Sequence, residues 1–335
     1  MPEPPLGVVA SLSSGFEAVN ARLELVLLPL LLDLFLWLGP HLSIRPLAQS
    51  VVALLRSPSG ADATTLHNLS VVREMIQAYG ARFNLFSILS TAPLGLPSLM
   101  AGRAPGALPN GGPVVWMVDN GLEYLLLFGA FALVGLFLGA LYFGGIAQQV
   151  RDARLSRIKL LRQVWLDWAQ ITAFAALLLL VLGFMGLPAM LLIGFAALVS
   201  PFVGSLLSLL SSMALVWVLF YLAFTLHGIV LQRRSLFRSL WDSLRLVQAS
   251  LPPTAGLFAT IMLLNLGLSA VWNLPPDSSW LMLVGVGGHA VVSTALVAAT
   301  FAFYQDRYRW WLEIREALAS QRQSGRSEAN RSPKA

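Results

Sequence analysis

Residues 171 to 224 contain no charged side chain, and this run restricts the fold more than any other feature of the sequence. A transmembrane helix needs about 20 predominantly apolar residues, so the run is long enough for two or three of them. The whole chain agrees: 57% of its 335 residues are hydrophobic and only 11% are charged. The apolar runs are continuous rather than alternating, which favours helices over membrane-barrel strands. We predict an all-α, polytopic helical membrane protein.

Six segments are predicted to cross the membrane, namely 23–42, 122–146, 168–187, 205–230, 254–273 and 280–304. Charge decides the number of spans within the long run, because the basic loops 147–167 and 229–253 on either side of it should both be cytoplasmic. An even number of spans, two, then separates these loops. Residues 188–203 become a helix extension or a short interfacial piece, and a re-entrant segment is the less favoured alternative.

The ends of the chain are also predicted to be cytoplasmic. Residues 1–22 have no basic n-region and no small-residue cleavage site, so they do not resemble a signal peptide. Apolar residues recur there at helical spacing, which predicts an interfacial amphipathic helix. The tail, 306–335, is basic and is expected to be disordered at its end. The spans and loops from 122 to 305 form the core between these two ends.

The connection 43–121 is too long for a simple loop and should lie on the opposite, extracytoplasmic side. Two of its stretches, RPLAQSVVALLR and LHNLSVVREMIQAYGARFNLFSILS, have helical periodicity. Residues 91–113 are rich in proline and glycine and are predicted to be irregular. We expect a small extracytoplasmic helical cap, which could also contact a partner protein.

Both basic loops combine arginines with an apolar stripe that includes tryptophan, a pattern typical of helices at a membrane surface. Each arginine near an anionic membrane contributes about 1 kcal/mol to binding. The same charges also fix the topology, and we expect generic anchoring more than recognition of one lipid. The predicted headgroup contacts are Arg151, Arg154, Arg157, Arg162, Arg233, Arg234, Arg238 and Arg245.

One ionisable residue, Asp33, lies about halfway along the first predicted span, where a carboxyl group costs roughly 2.5 to 3.5 kcal/mol to insert. Asn265 lies at the middle of the fifth predicted span, and His289 lies somewhat outside the middle of the sixth. The three residues could share a midplane polar site that suits a proton relay, a cation or a headgroup. The favoured alternative is that Asp33 is a buried tie between helices, or bonds backbone freed near Pro29.

Two stretches resemble a known family. QRRSLFRSLWDSLRLVQASLPPTAGLFATIML resembles the basic helix and fifth span of the bacterial six-helix YciC-like and glycerophosphodiesterase-membrane-domain-like proteins. TALVAATFAFYQDRYRWWLEI resembles the end of their last span, although Gln305 replaces the second tyrosine of the family's exit pattern. The long first outer connection also departs from the family. The resemblance implies a six-helix protein of the bacterial inner membrane and supplies no catalytic residues.

The function predicted from these features is a non-enzymatic scaffold or accessory protein in membrane or envelope function, in contact with anionic lipid. The alternative is a small-solute or ion transporter that uses the site around Asp33. The chain has no cysteine, and its four histidines lack metal-ligand spacing, so we predict neither a metal nor another cofactor. The basic residues lie in membrane loops, so nucleic acid is not an expected partner.

Overall fold

The computed structural model describes residues 5–55, 62–104, 106–109 and 111–329, with side chains through residue 315. Nearly all of this part of the chain outside 83–120 is helical, and the all-α prediction is confirmed. The helices are α1 (Val8–Ala21), α2 (Leu27–Leu38), α3 (Arg45–Leu54), α4 (Ala63–Arg82), α5 (Gly121–Asp152), α6 (Arg157–Val199), α7 (Pro201–Leu222), α8 (Thr225–Val230), α9 (Leu236–Ala249), α10 (Leu251–Trp272) and α11 (Met282–Ala329). Two short strands, β1 (His41–Ser43) and β2 (Val115–Met117), pair in parallel.

Within the described residues, five helical stretches are long and apolar enough to cross a membrane. They are Gly121–Asp152, Arg157–Val199, Pro201–Val230, Leu251–Trp272 and Met282–Arg315. The long uncharged run does contain two helical segments, as the charge argument predicts. Of the alternatives for residues 188–203, the structure has the helix extension, because α6 continues through Pro188 to Val199.

The predicted first span, 23–42, is not one of these five helices, so six spans are not confirmed. This segment begins as a 3-10 turn at Leu23–Val26, continues as α2 and is no longer helical at Gly39. Pro40 explains the end, since a residue that precedes proline is disfavoured in the helical conformation. Pro29 lies in the first turn of α2, where a missing N–H is tolerated.

The N-terminal helix, predicted as an interfacial amphipathic helix, also packs against the rest of the chain. Ser11, Gly15 and Val19 on one face of α1 are buried, and α1 packs against α11. A Cβ atom on Gly15 would lie 2.6 Å from the backbone nitrogen of Ala299, so only glycine fits at this crossing. The helix is therefore part of the bundle.

The loop helices also differ from one another. The basic loop predicted at 147–167 is mostly the end of α5 and the start of α6, with only residues 153–156 between them. The loop predicted at 229–253 does contain a separate helix, α9. In the tail, α11 continues as helix to Ala329, and the end beyond it lies outside the described residues.

The connection from 43 to 121 contains the two helices that its periodicity predicts, α3 and α4, which pack together where Ala48 meets Gly80. Its Pro/Gly-rich part is irregular, but it is not a surface loop. Leu96 and Met100 are 1% and 5% exposed and belong to the main hydrophobic core. We call residues 85–104 the inserted segment, because this part of the connection returns into the bundle.

The inserted segment packs against helix α5 at two glycines. A Cβ atom on Gly139 would lie 2.7 Å from both the Gly95 Cα and the Leu94 carbonyl oxygen, and one on Gly135 would lie 2.7 Å from the Leu89 carbonyl oxygen. This Gly-xxx-Gly pair therefore packs within the chain, against the 3-10 turn Leu85–Leu89 and the irregular backbone that follows it rather than another α-helix.

Candidate functional site

Asp33 is fully buried, and its carboxyl group binds the inserted segment. The Oδ2 atom accepts a hydrogen bond from the Leu99 backbone N–H at 3.0 Å, and Oδ1 accepts one from the Met100 N–H, also at 3.0 Å. The Ser98 hydroxyl donates a third bond to Oδ1. The Ser98 oxygen in turn accepts from the Ala101 N–H at 3.0 Å. One side chain of α2 thus organises four consecutive residues.

This arrangement explains why a carboxyl group occurs in such an apolar helix. An irregular backbone buried among helices has N–H groups without partners of its own, and each unpaired group is costly away from water. Asp33 supplies acceptors for two of these N–H groups at once. The contact is a tie between α2 and the inserted segment, so the bond near Pro29 considered from the sequence is not the one that forms.

The structure brings two of the three predicted midplane residues together. His289 Nδ1 on α11 lies 3.5 Å from Asp33 Oδ2, and both side chains are buried. The distance suits an ion pair with a protonated ring, but the geometry does not meet hydrogen-bond criteria and Nδ1 has no hydrogen-bond partner among the described residues. Asn265 is exposed on α10, so it does not join this pair.

The partners of Asp33 are not predicted from the sequence, because the composition of residues 91–113 indicates one irregular outer stretch. One signal was present: the part around residue 98 contains Leu94, Leu96, Leu99 and Met100 between its prolines and glycines. Surface loops rarely concentrate large apolar side chains in this way. That composition indicates a buried loop, which then requires acceptors from its neighbours.

A second polar cluster closes the same end of the bundle. The Trp37 Nε1 group at the end of α2 donates to the Asp277 carbonyl oxygen at 3.0 Å. The Arg103 guanidinium binds both the Asp277 carboxylate and the Asn273 side-chain oxygen. These contacts fix the end of α2 and the inserted segment to the loop between α10 and α11. Burial lowers the pKa of His41, which lies beside this cluster.

Another buried histidine, His227 on α8, belongs to the core. Its Nε2 atom lies 2.8 Å from the Thr300 hydroxyl, and its ring centroid lies 4.3 Å from that of Phe301. Tyr304 and Phe224 complete the surrounding aromatic cluster. His227 therefore ties α8 to α11.

The eight predicted headgroup arginines lie at the opposite end of the bundle from Trp37. Arg151 and Arg234 are half-buried, and the other six are exposed. Three of the eight form ion pairs: Arg151 with Asp152, Arg157 with Glu24 at 3.2 Å, and Arg234 with Asp242 at 3.3 Å. The remaining exposed arginines extend from the ends of α5, α6 and α8 and from α9.

Helix α9 has a polar inner face and an aromatic outer face. The Ser243 hydroxyl donates to the Tyr221 carbonyl oxygen at 2.7 Å and accepts from the Phe224 N–H at 3.1 Å, so it satisfies the backbone where α7 ends and α8 begins. Phe237 and Trp241 point outward and are 77% and 55% exposed. The Arg245 guanidinium lies 4.9 Å from the Trp241 ring centroid.

The predicted apolar stripe of α9 is thus divided between its two faces. Val247 is buried in the core, whereas Phe237 and Trp241 face outward. The stripe at the start of α6 is also largely exposed, with Ile158, Leu161 and Trp165 outward. Helical spacing alone could not separate a face that packs on protein from one that packs on lipid, because both are apolar.

Comparisons with protein-family models, with curated proteins and with solved structures find no match for this chain. The resemblance to YciC-like and glycerophosphodiesterase-membrane-domain-like proteins therefore stays a prediction.

Proposed function

We propose that this chain is a non-enzymatic scaffold or accessory protein of the bacterial inner membrane that holds anionic lipid at its basic end. One observation carries the lipid contact: Phe237 and Trp241 are exposed on the outer face of α9, beside Arg238 and Arg245. Aromatic rings prefer the headgroup level of a bilayer, and arginines there attract anionic lipids. The scaffold assignment is supported by Asp33, whose three hydrogen bonds hold the inserted segment in place.

The proposal includes a sixth, short membrane crossing. The 3-10 turn of 4 residues and α2 of 12 residues together extend about 26 Å, close to the hydrocarbon thickness of a bilayer. At one end Glu24 pairs with Arg157 in the basic region, and at the other Trp37 binds Asp277. With this crossing, both termini are cytoplasmic and residues 43–121 form the extracytoplasmic cap.

The cap is the part of the molecule that we propose for a protein partner. Helices α3 and α4 carry exposed apolar side chains, among them Leu54, Met75 and Tyr79 at 79%, 66% and 60% exposure. Outside the membrane such side chains face water unless another surface covers them.

Thermal unfolding in nanodiscs tests the lipid contact. Wild-type protein should be more stable in discs that contain phosphatidylglycerol than in discs of phosphatidylcholine alone, and salt should reduce the difference. The Arg238→Gln variant should lose about 1 kcal/mol of this lipid-dependent difference. Arg82→Gln, an exposed arginine on α4, is the matched control and should retain it. An equal stability of the wild-type protein in both kinds of disc would refute the proposal.

A second candidate function is a small-solute or ion transporter with Asp33 and His289 as its polar site. The 3.5 Å approach of these two buried groups favours it. The His289→Gln variant tests it, because this change leaves all three hydrogen bonds to Asp33 intact. Proton or cation flux into proteoliposomes that falls to background in His289→Gln, in a protein that unfolds at the wild-type temperature, would replace the scaffold assignment. Unchanged flux would remove the transporter.

A further inference from the structure

An open groove of about 780 Å³ lies at the basic end of the bundle, where the ends of α5 and α8 meet the start of α6. We call it the basic groove. Four cationic side chains and one carboxylate line it, together with leucine and glutamine side chains. The charged residues are Arg151, Asp152, Lys159, Arg162 and Arg233.

The side chains of Lys159, Arg162 and Arg233 form no hydrogen bond or ion pair within the described part of the chain. The charges of Lys159 and Arg233 act on the nearby Asp152 without direct contact. The fourth, Arg151, is already partnered: it pairs with Asp152 and donates to the Leu231 carbonyl oxygen at 3.1 Å. That pairing also neutralises the only carboxylate that lines the groove.

These three cations come from two directions. Lys159 and Arg162 are three residues apart on α6, so they lie on one face of the helix, and Leu166 follows on the same face one turn later. Arg233 approaches from the connection between α8 and α9. An anion in the groove would therefore be held from two sides rather than by a single basic surface.

The backbone of Arg233 provides an independent observation. Its φ angle is +52°, in the left-handed region that glycine and asparagine adopt readily and that other side chains disfavour. Residues in such conformations cluster at ligand clamps. An arginine at this position costs stability that a glycine would not, and it adds a guanidinium group to the groove.

We propose that the basic groove is a discrete binding site for the phosphate of an anionic phospholipid headgroup. A guanidinium group binds phosphate oxygens through two parallel hydrogen bonds of fixed geometry. Such bonds give a specific site, whereas a generally basic surface attracts anions without fixing their position. Leu166 indicates that the phosphate belongs to a lipid rather than to a free ion, because this apolar side chain lines the groove and is 62% exposed. The side chain of its neighbour Trp165 is 60% exposed. These side chains offer an apolar surface to the acyl chains.

Asp167 limits how deep the phosphate can sit. This carboxyl group is 3% exposed and lies in a separate small cavity of about 10 Å³ that Arg151 and Arg233 also line. A cavity of this size holds about one water molecule, so a phosphate does not fit there, and the carboxyl group would also repel it. The site is therefore in the open part of the groove, near Lys159 and Arg162.

The inference deepens the proposed function and rests on it, so its test must separate one specific site from a generally basic surface. Native mass spectrometry of the full chain, released from nanodiscs of phosphatidylglycerol and phosphatidylcholine, measures retained lipid. The groove variant is Arg162→Gln with Arg233→Asn, since asparagine tolerates a positive φ. The control, Arg309→Gln with Arg315→Gln, removes the same charge from α11 at the same end of the bundle, where both side chains are exposed. A separate titration uses inorganic phosphate.

We expect wild type and control to retain one phosphatidylglycerol molecule, and the groove variant to bind it on the order of 20- to 30-fold more weakly. Equal weakening in both variants would overturn the groove site while the lipid contact of α9 stands. No retained lipid in the wild type, with a persistent stability difference between nanodiscs, would do the same. Tight binding of inorganic phosphate that phosphatidylglycerol does not displace would overturn the lipid assignment.

Discussion

Asp33 is a structural tie, because its carboxyl oxygens accept from the Ser98 hydroxyl and from the backbone N–H groups of Leu99 and Met100. The bond from the Met100 N–H is buried, and the one from the Leu99 N–H is partly buried. Removing an acceptor there lowers the free energy of unfolding by more than the contribution of the hydrogen bond itself, because the donors that remain are left unpaired.

We predict that Asp33→Asn lowers the free energy of unfolding by about 2–4 kcal/mol, because its amide turns a donor toward groups that are themselves donors. Ser98→Ala removes one of the three bonds to Asp33 and the bond from the Ala101 N–H, and it should cost about 1–2 kcal/mol. Thermal unfolding in detergent, followed by tryptophan fluorescence, measures both. His289→Gln is the control for a polar change at the same place. An Asp33→Asn protein as stable as the wild type would show that the tie contributes nothing.

His41 gives the molecule a pH dependence at the end of α2. Burial lowers the pKa of His41 below its ordinary value of 6.5, so the unfolded chain binds a proton at a higher pH than the folded one. The contribution of this residue to stability is complete above about pH 6.5 and declines as the pH falls below it. We predict that the unfolding temperature falls less between pH 7.5 and 5 in His41→Gln than in the wild type. Equal slopes would contradict this assignment.

Sequence reasoning could single out Asp33 and His289, since ionisable groups are rare in apolar helices. It could not place Asn265, because the position of a polar residue along a helix gives its depth but not its direction. Ser98 was beyond reach for another reason: its role depends on a contact with α2 from 65 residues away along the chain. Only the apolar content around it suggested burial.

At the scale of elements, the inserted segment depends on a smooth surface on α5. Gly135 and Gly139 provide this surface, because the backbone of the segment passes where their side chains would be. Glycines at this spacing are typical of close packing, but the spacing does not identify the partner, since small residues accept a helix, a loop or another chain.

We predict that Gly139→Ala destabilises the protein by about 1–3 kcal/mol, because its methyl group must displace the backbone at Gly95. Gly129→Ala in the same helix has no atom within 4 Å of the new Cβ, so it should be neutral or raise stability by up to about 1 kcal/mol. Chemical or thermal unfolding measures the change in stability of each variant relative to the wild type. Equal effects would mean that helix propensity alone matters here.

The length of helix α6 is another feature that was not predicted from the sequence. Its 43 residues extend about 65 Å, roughly twice the hydrocarbon thickness of a bilayer. Periodicity predicted its apolar part and its basic start separately, because a change in composition normally marks the end of an element. Here the backbone hydrogen bonds continue through that change, so the interfacial part and the span form one helix.

For the whole molecule, the position of the N-terminal helix depends on the first crossing. Without the short crossing at 23–38, the described part of the chain has five spans, and residues 5–22 would lie on the same side of the membrane as residues 43–121. With it, residues 5–22 lie on the side of the basic groove, and the cap lies on the opposite side. The number of spans could not be fixed from hydropathy, because a tertiary tie through Asp33 and Trp37 supports a helix shorter than the usual 20 residues.

Labelling of single cysteines tests this topology most directly, and the absence of native cysteine leaves no background. Ser13→Cys on α1, Thr64→Cys on α4 and Ser235→Cys before α9 are all at exposed positions. With a membrane-impermeant maleimide on bacterial spheroplasts, we predict that the cysteine at 64 reacts in intact spheroplasts and that the cysteines at 13 and 235 react only after lysis. Reaction of the cysteine at 13 in intact spheroplasts would contradict the sixth crossing, and reaction of the cysteine at 64 only after lysis would contradict the placement of the cap.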